Sequence, residues 1–307
     1  MSFEADALAE LKKPRTKEST LAKKLALFLG SLAAFLLLGL LATSSSSKVG
    51  IVDLLGIVLI LFVHESGHYL SMRWLGYRNV QMFFIPFFGA AVSGYSTPMP
   101  IFHQAFVILA GPIPGIFIGF LCLAFYLTSG NDMWQKMANW FILLNGLNLI
   151  PWYPLDGGRF VDYVVSNRHA LSKTFFQLFV IGLGFYAYTK LNLSILIYLG
   201  IHTLFRIKRY YFVNRTAYEL RVQRAKEGLS KSEDVPDEIA TATIAKLTKA
   251  LPLVGTGGVV AEYVRDIWIQ ANSERPSPFE VVIMGLTYLT AIALFCLYQF
   301  LYLPLIK

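Results

Sequence analysis

His64-Glu65-Ser66-Gly67-His68 sets two imidazoles four positions apart, with a carboxylate directly after the first. In a helix, residues i and i+4 stack on one face. Two imidazoles so placed can grip one zinc ion, with Glu65 beside them and within reach of a coordinated water. A catalytic zinc also needs a third protein ligand and an open position. Of the other histidines, His103 opens an apolar run and His169 sits in a polar loop. His202 lies in another apolar run, where bonding to a neighbouring helix is the ordinary role. The better candidate is Asp156, in Asn148-Leu149-Ile150-Pro151-Trp152-Tyr153-Pro154-Leu155-Asp156-Gly157-Gly158-Arg159. Pro151 and Pro154 cannot continue a regular helix, and Gly157–Gly158 offers a flexible bend just after the carboxylate. The competing reading of Asp156 is a plain turn residue in a Pro/Gly loop. Cys122 and Cys296 both lie in apolar runs, so neither a disulfide framework nor a cysteine zinc site is available.

The elements that must carry these groups belong to a membrane. Of 307 residues, 55% are hydrophobic and only 15% charged, and mean hydropathy is +0.54. A soluble domain averages about 25% charged residues. The composition argues against a soluble enzyme, a disordered chain and a nucleic-acid binder, despite a net charge of +8. Basic residues instead belong beside membrane segments, where they set orientation and meet anionic lipid. Runs of about 20 apolar residues mark spans: Leu25–Ala42, Ile51–Trp74, Phe102–Leu127, Met137–Ile150, the short pair Phe175–Tyr188 and Leu193–Phe205, and Phe279–Leu303. The expected fold is an all-α polytopic membrane protein of six to seven transmembrane helices, with a short re-entrant or β-rich segment at Tyr77–Pro100. His64, Glu65 and His68 then sit inside a spanning helix, where a charge near the centre costs up to about 3 kcal/mol and is functional by default.

Lys12, Lys13, Arg15, Lys17, Lys23 and Lys24 precede the first span and place the N-terminus in the cytoplasm. Threading alternately puts Arg73, Arg159 and Arg206 on the same side and the poorly basic loops Thr43–Gly50, Ser129–Lys136 and Thr189–Asn192 outside. The chain divides into a cytoplasmic segment 1–24, a membrane-embedded core 25–213, a cytoplasmic helical segment 214–278 and a last transmembrane helix 279–307. Asn214–Pro278 carries nine basic and nine acidic residues. Its second half, Ile239–Ile269, is amphipathic and suits either the membrane surface or docking on the core.

These motifs resemble the site-2-type intramembrane zinc metalloproteases. The likeness rests on His64-Glu65-Ser66-Gly67-His68 and on Asn148-x-x-Pro151-x-x-Pro154-Leu155-Asp156-Gly157, and it covers about Ile51 to Phe160. It implies His64, His68 and Asp156 as zinc ligands, Glu65 as general base, and Asn148 as a residue that orients substrate or polarises the scissile carbonyl. Ile85-Pro86-Phe87-Phe88-Gly89 is similar to that family's extended stretch after the first motif. Ala110-Gly111-Pro112-Ile113-Pro114-Gly115 is similar to its Ala-Gly-Pro-x-x-Asn stretch, with Gly115 where asparagine is often found. The implied activity is Zn2+-dependent hydrolysis of a peptide bond in or near the transmembrane segment of a membrane-protein substrate. The expected setting is the cell (inner) membrane, with the lipid bilayer as surroundings and no nucleic-acid partner. A zinc-binding scaffold without activity is the main rival, although structural zinc needs no adjacent Glu65. A transporter would not require this motif, and a di-iron oxygenase usually needs more than five histidines.

Overall fold

A computed structural model describes residues 3–13, 19–44, 50–86, 89–95, 98–164, 178–182, 185, 194–227, 234–251 and 256–302. The helices are α1 Phe3–Lys12, α2 Leu21–Ser44, α3 Ile51–Trp74, α4 Ile101–Leu109, α5 Pro112–Ser129, α6 Asp132–Asn148, α7 Asp156–Val164, α8 Ser194–Glu227, α9 Asp237–Ala250, α10 Gly257–Asn272 and α11 Pro278–Leu297. The strands are β1 Arg78–Ile85 and β2 Gly89–Tyr95. Among the described residues, four helical stretches are long and apolar enough to cross a membrane: Leu21–Leu41, Ile51–Trp74, Ile101–Ser129 and Pro278–Phe300. Of the expected span Phe175–Tyr188, only 178–182 and 185 are described, and these are helical. The loop Thr189–Asn192, His169 and the side chain of His202 lie outside the described residues. The helix that carries the expected sixth span runs on past Phe205, since α8 is unbroken from Ser194 to Glu227.

The chain forms two compact units. One comprises Glu18–Ser96, Phe102–Phe160 and Ser277–Lys307. Within it, α3 starts where the Gly50 N–H donates to Asp53 Oδ2 at 3.1 Å, and Asp53 pairs with Lys136 of α6. It ends at Trp74, and the chain turns away at Gly76, whose φ of +81° is the left-handed conformation that glycine adopts without strain. The third expected span is not one continuous helix. It is interrupted at Ala110–Gly111, because Pro112 has no N–H and its ring clashes with the preceding turn. α5 and α6 pack as a pair around Cys122, Leu123, Ala138 and Ile142, with Tyr298 in the same cluster.

The extended stretch after the His64–His68 motif forms an antiparallel pair of strands, β1 and β2, with Phe84 opposite Ala90 and Met82 opposite Val92. Phe84 packs its ring against Phe28 and Phe35 of α2, at 5.9 and 5.6 Å between centroids. Its N–H donates to Ser31 Oγ of α2 at 3.0 Å. A backbone donor at the edge of the sheet is thereby satisfied without a third strand.

The other unit holds Met1–Lys17, Thr97–Ile101 and Val161–Pro276. The apolar stripe Val260, Val264 and Ile267 of α10 follows helical spacing and is buried with Ala7 of α1, Val213 and Ala217 of α8, and Ile244 and Leu247 of α9. The amphipathic second half of Asn214–Pro278 therefore spends its apolar face on a core shared with the N-terminal helix. Arg265 caps α1 by donating to the carbonyls of Glu10 and Leu11, both at 2.9 Å, and Lys13 at 3.0 Å. Arg221 and Arg224 of α8 meet the carbonyl end of α10, where cations are favoured. Burial, with Arg275 and Arg224 nearby, brings the Arg221 guanidinium down to about 10.

Candidate metal centre

α3 carries His64, Glu65 and His68 on buried turns, with 5% and 7% of the first two exposed. Asp156 is 92 positions from His64 in sequence and is 6% exposed. Asp156 Oδ2 lies 3.1 Å from His64 Nε2 and 3.2 Å from His68 Nε2, and the two Nε2 atoms are 3.2 Å apart. The three residues thus form a group whose ligand atoms could hold one metal ion. Glu65 is within electrostatic reach of both histidines, Asp156 and Arg159.

The helix break that delivers Asp156 is ordered by its own backbone. Leu149 N–H donates to Gly146 O at 3.0 Å, Ile150 N–H to Leu147 O at 3.1 Å, and Leu155 N–H to Trp152 O at 2.9 Å. Asp156 then opens α7, where the positive end of the helix favours a carboxylate. Gly157 and Gly158 are not a flexible bend. They form the first turn of α7, and a Cβ at either would overlap the backbone at Leu149 or Trp152. Tyr288 of α11 donates its hydroxyl to Leu149 O at 2.7 Å, and its ring stacks on Phe160 at 4.5 Å.

Each histidine is also held from behind. His68 Nδ1 donates to Val107 O at 2.8 Å. In an unbroken helix that carbonyl would take the N–H of Gly111; the interruption before Pro112 leaves it for His68. Gly67 and Gly111 permit this approach, since a Cβ on Gly67 would overlap Ala110 O and one on Gly111 would overlap the His68 ring. His64 Nδ1 donates to Asn145 Oδ1 at 2.8 Å, and Asn145 Nδ2 donates to Phe141 O at 2.8 Å.

These bonds bear on how well the group suits zinc. A carbonyl oxygen can only accept, so each histidine carries its proton on Nδ1 and turns the Nε2 lone pair towards Asp156. Three acceptor atoms facing one another in a buried place repel unless a cation lies among them. Tetrahedral zinc with bonds of about 2.0–2.2 Å spaces its donors roughly 3.3–3.6 Å apart, within a few tenths of an ångström of the separations here. Outer partners on the second ring nitrogen are the usual companions of zinc-binding histidines.

Asn148 donates to Leu144 O at 3.2 Å within its own helix and touches none of the three donor atoms. The amide that does reach a histidine is Asn145, three positions earlier, which the sequence reading passed over. The available signal was the same for both: a polar amide in an apolar helix. His103 packs beside Phe102, 6.2 Å between ring centroids.

Residues 52–138 match the model of peptidase family M50, a stretch that contains His64, Glu65 and His68. The chain is 27% identical over 194 residues to stage IV sporulation protein FB of Bacillus subtilis, a match covering 54% of this chain and 67% of that protein. It is 26% identical over 125 residues to a zinc metalloprotease of Methanocaldococcus jannaschii, covering 38% of this chain and 36% of the relative.

Proposed function

From a chain whose residues 52–138 match peptidase family M50, we propose a zinc-dependent endopeptidase of the site-2 type that cuts membrane proteins within or next to their spanning segments. The observation that carries this reading is the meeting of His64, His68 and Asp156 at 3.1–3.2 Å, beside a buried Glu65. His64, His68 and Asp156 would hold the metal. Zinc bound there would supply Lewis-acid polarisation and make water acidic near neutral pH. Glu65 takes the proton of the attacking water on its carboxylate and passes it to the leaving amine. Asn148 orients the substrate from the half-buried face of α6.

In this reading the N-terminus is cytoplasmic, six to seven segments cross the bilayer, and residues 25–213 form the membrane-embedded core. The cell membrane is the proposed location. α3 runs from outside to inside, so the cut falls in the cytoplasmic half of the substrate's span, where the helix must first unwind. Opening backbone hydrogen bonds in lipid costs several kcal/mol per group. Helix-breaking residues near the scissile bond should ease that step.

Glu65→Gln tests the reading. It keeps the shape and removes the proton acceptor. Zinc should stay bound at about one per chain while cleavage of a reconstituted membrane substrate falls 10²–10⁴-fold. Cleavage at the parental rate would overturn the assignment.

A further inference from the structure

Asn145 is fully buried in α6, and its amide has no freedom of direction. Its Nδ2 is committed to Phe141 O, which can only accept, so Oδ1 must face His64. The space it fills is set by the facing helix. A Cβ at Gly115 of α5 would overlap Nδ2, Cγ and Oδ1 of Asn145 together. A side chain at either 115 or 145 can occupy that volume, but not at both.

We infer that Asn145, seated in the room left by Gly115, is a positioning residue that fixes His64 for metal binding. This rests on the metal-site reading above. Asn145 Oδ1 holds the His64 proton on Nδ1, which leaves the Nε2 lone pair aimed at Asp156 Oδ2, 3.1 Å away. Without an acceptor there, the ring is free to flip or to move its proton to Nε2, and either change takes a donor atom from the group. Gly115 is required for a reason that does not involve substrate: any larger residue evicts the amide.

The test is a Zn2+ titration of the full chain in detergent, competed with a chelating dye, with helix content recorded for each variant. Asn145→Leu, close in volume but without an acceptor, should weaken zinc binding 10–100-fold, the usual range for loss of such a partner. Asn145→Asp still accepts from Nδ1, although its second oxygen no longer donates to Phe141 O, and should lose clearly less affinity than Asn145→Leu, a rescue that a merely packing role would not give. Gly115→Ala should also weaken binding about tenfold or more when Asn145 is present, and not when position 145 is alanine. That dependence is the signature of two residues acting through one contact. Parental affinity in Asn145→Leu, equal losses in Asn145→Asp and Asn145→Leu, or a Gly115→Ala effect independent of position 145 would each overturn the inference and leave the site intact. A parent that binds no zinc, or one whose binding survives His64→Ala with His68→Ala, would overturn the site reading itself.

Discussion

Tyr288→Phe removes one oxygen atom from α11 and leaves everything else in place. The ring keeps its stack on Phe160, 4.5 Å between centroids and 22° between planes. What is lost is the donor to Leu149 O, 2.7 Å away, on a residue with no exposed surface. A buried carbonyl left without its donor costs about 1–3 kcal/mol. Leu149 opens the break that ends at Asp156, and Gly157 packs against the same carbonyl. If the whole loss falls on the metal-holding arrangement, zinc affinity drops about 5- to 150-fold, at 1.36 kcal/mol per tenfold. Dye-competed titration of the purified variant reads this directly. Glu65→Gln serves as a background in which self-cleavage cannot intervene. Parental affinity in Tyr288→Phe would refute the idea that α11 anchors the loop carrying Asp156.

Asp156→Ala should lower both zinc content and cleavage, whereas Asn148→Ala should lower cleavage with zinc retained; metal analysis of the two purified variants separates them. Gly111→Ala pushes a methyl group into the His68 ring and should weaken zinc binding at least about tenfold, while Gly30→Ala, which meets no neighbour, should be neutral or stabilise by up to about 1 kcal/mol. Thermal melts and zinc titrations of both check this. A cysteine at Ser232 should react with an impermeant reagent only from the cytoplasmic side and one at Asn131 only from the opposite side; labelling of both from one face would break the proposed threading.

The paired histidines were legible because their relation is local: four residues in a helix fix one face, whatever surrounds it. Asp156 was legible for a different reason, since two prolines and two glycines announce where a helix must end. The reason given for the glycines was not, because their need for space depends on Leu149 and Trp152 folding back over them. Pro112 was visible too, but a hydropathy run that continues on both sides masks a one-turn interruption. Asn145 was out of reach. Its meaning lies in the pairing of position 145 with position 115 on another helix, and no spacing along the chain reports it. The core that joins α1 to α10 was hidden in the same way, since Arg265 and the carbonyl of Glu10 meet only through folding.

The bond between Tyr288 and Leu149 also orders events in time. Asp156 leaves the ribosome 132 residues before Tyr288, which is roughly 7–26 s at 5–20 residues per second. Through that interval the loop bearing the carboxylate keeps its own backbone bonds but lacks the anchor from α11. If the loop depends on that bond as the Tyr288→Phe prediction has it, the proposed metal centre is completed only once α11 has packed.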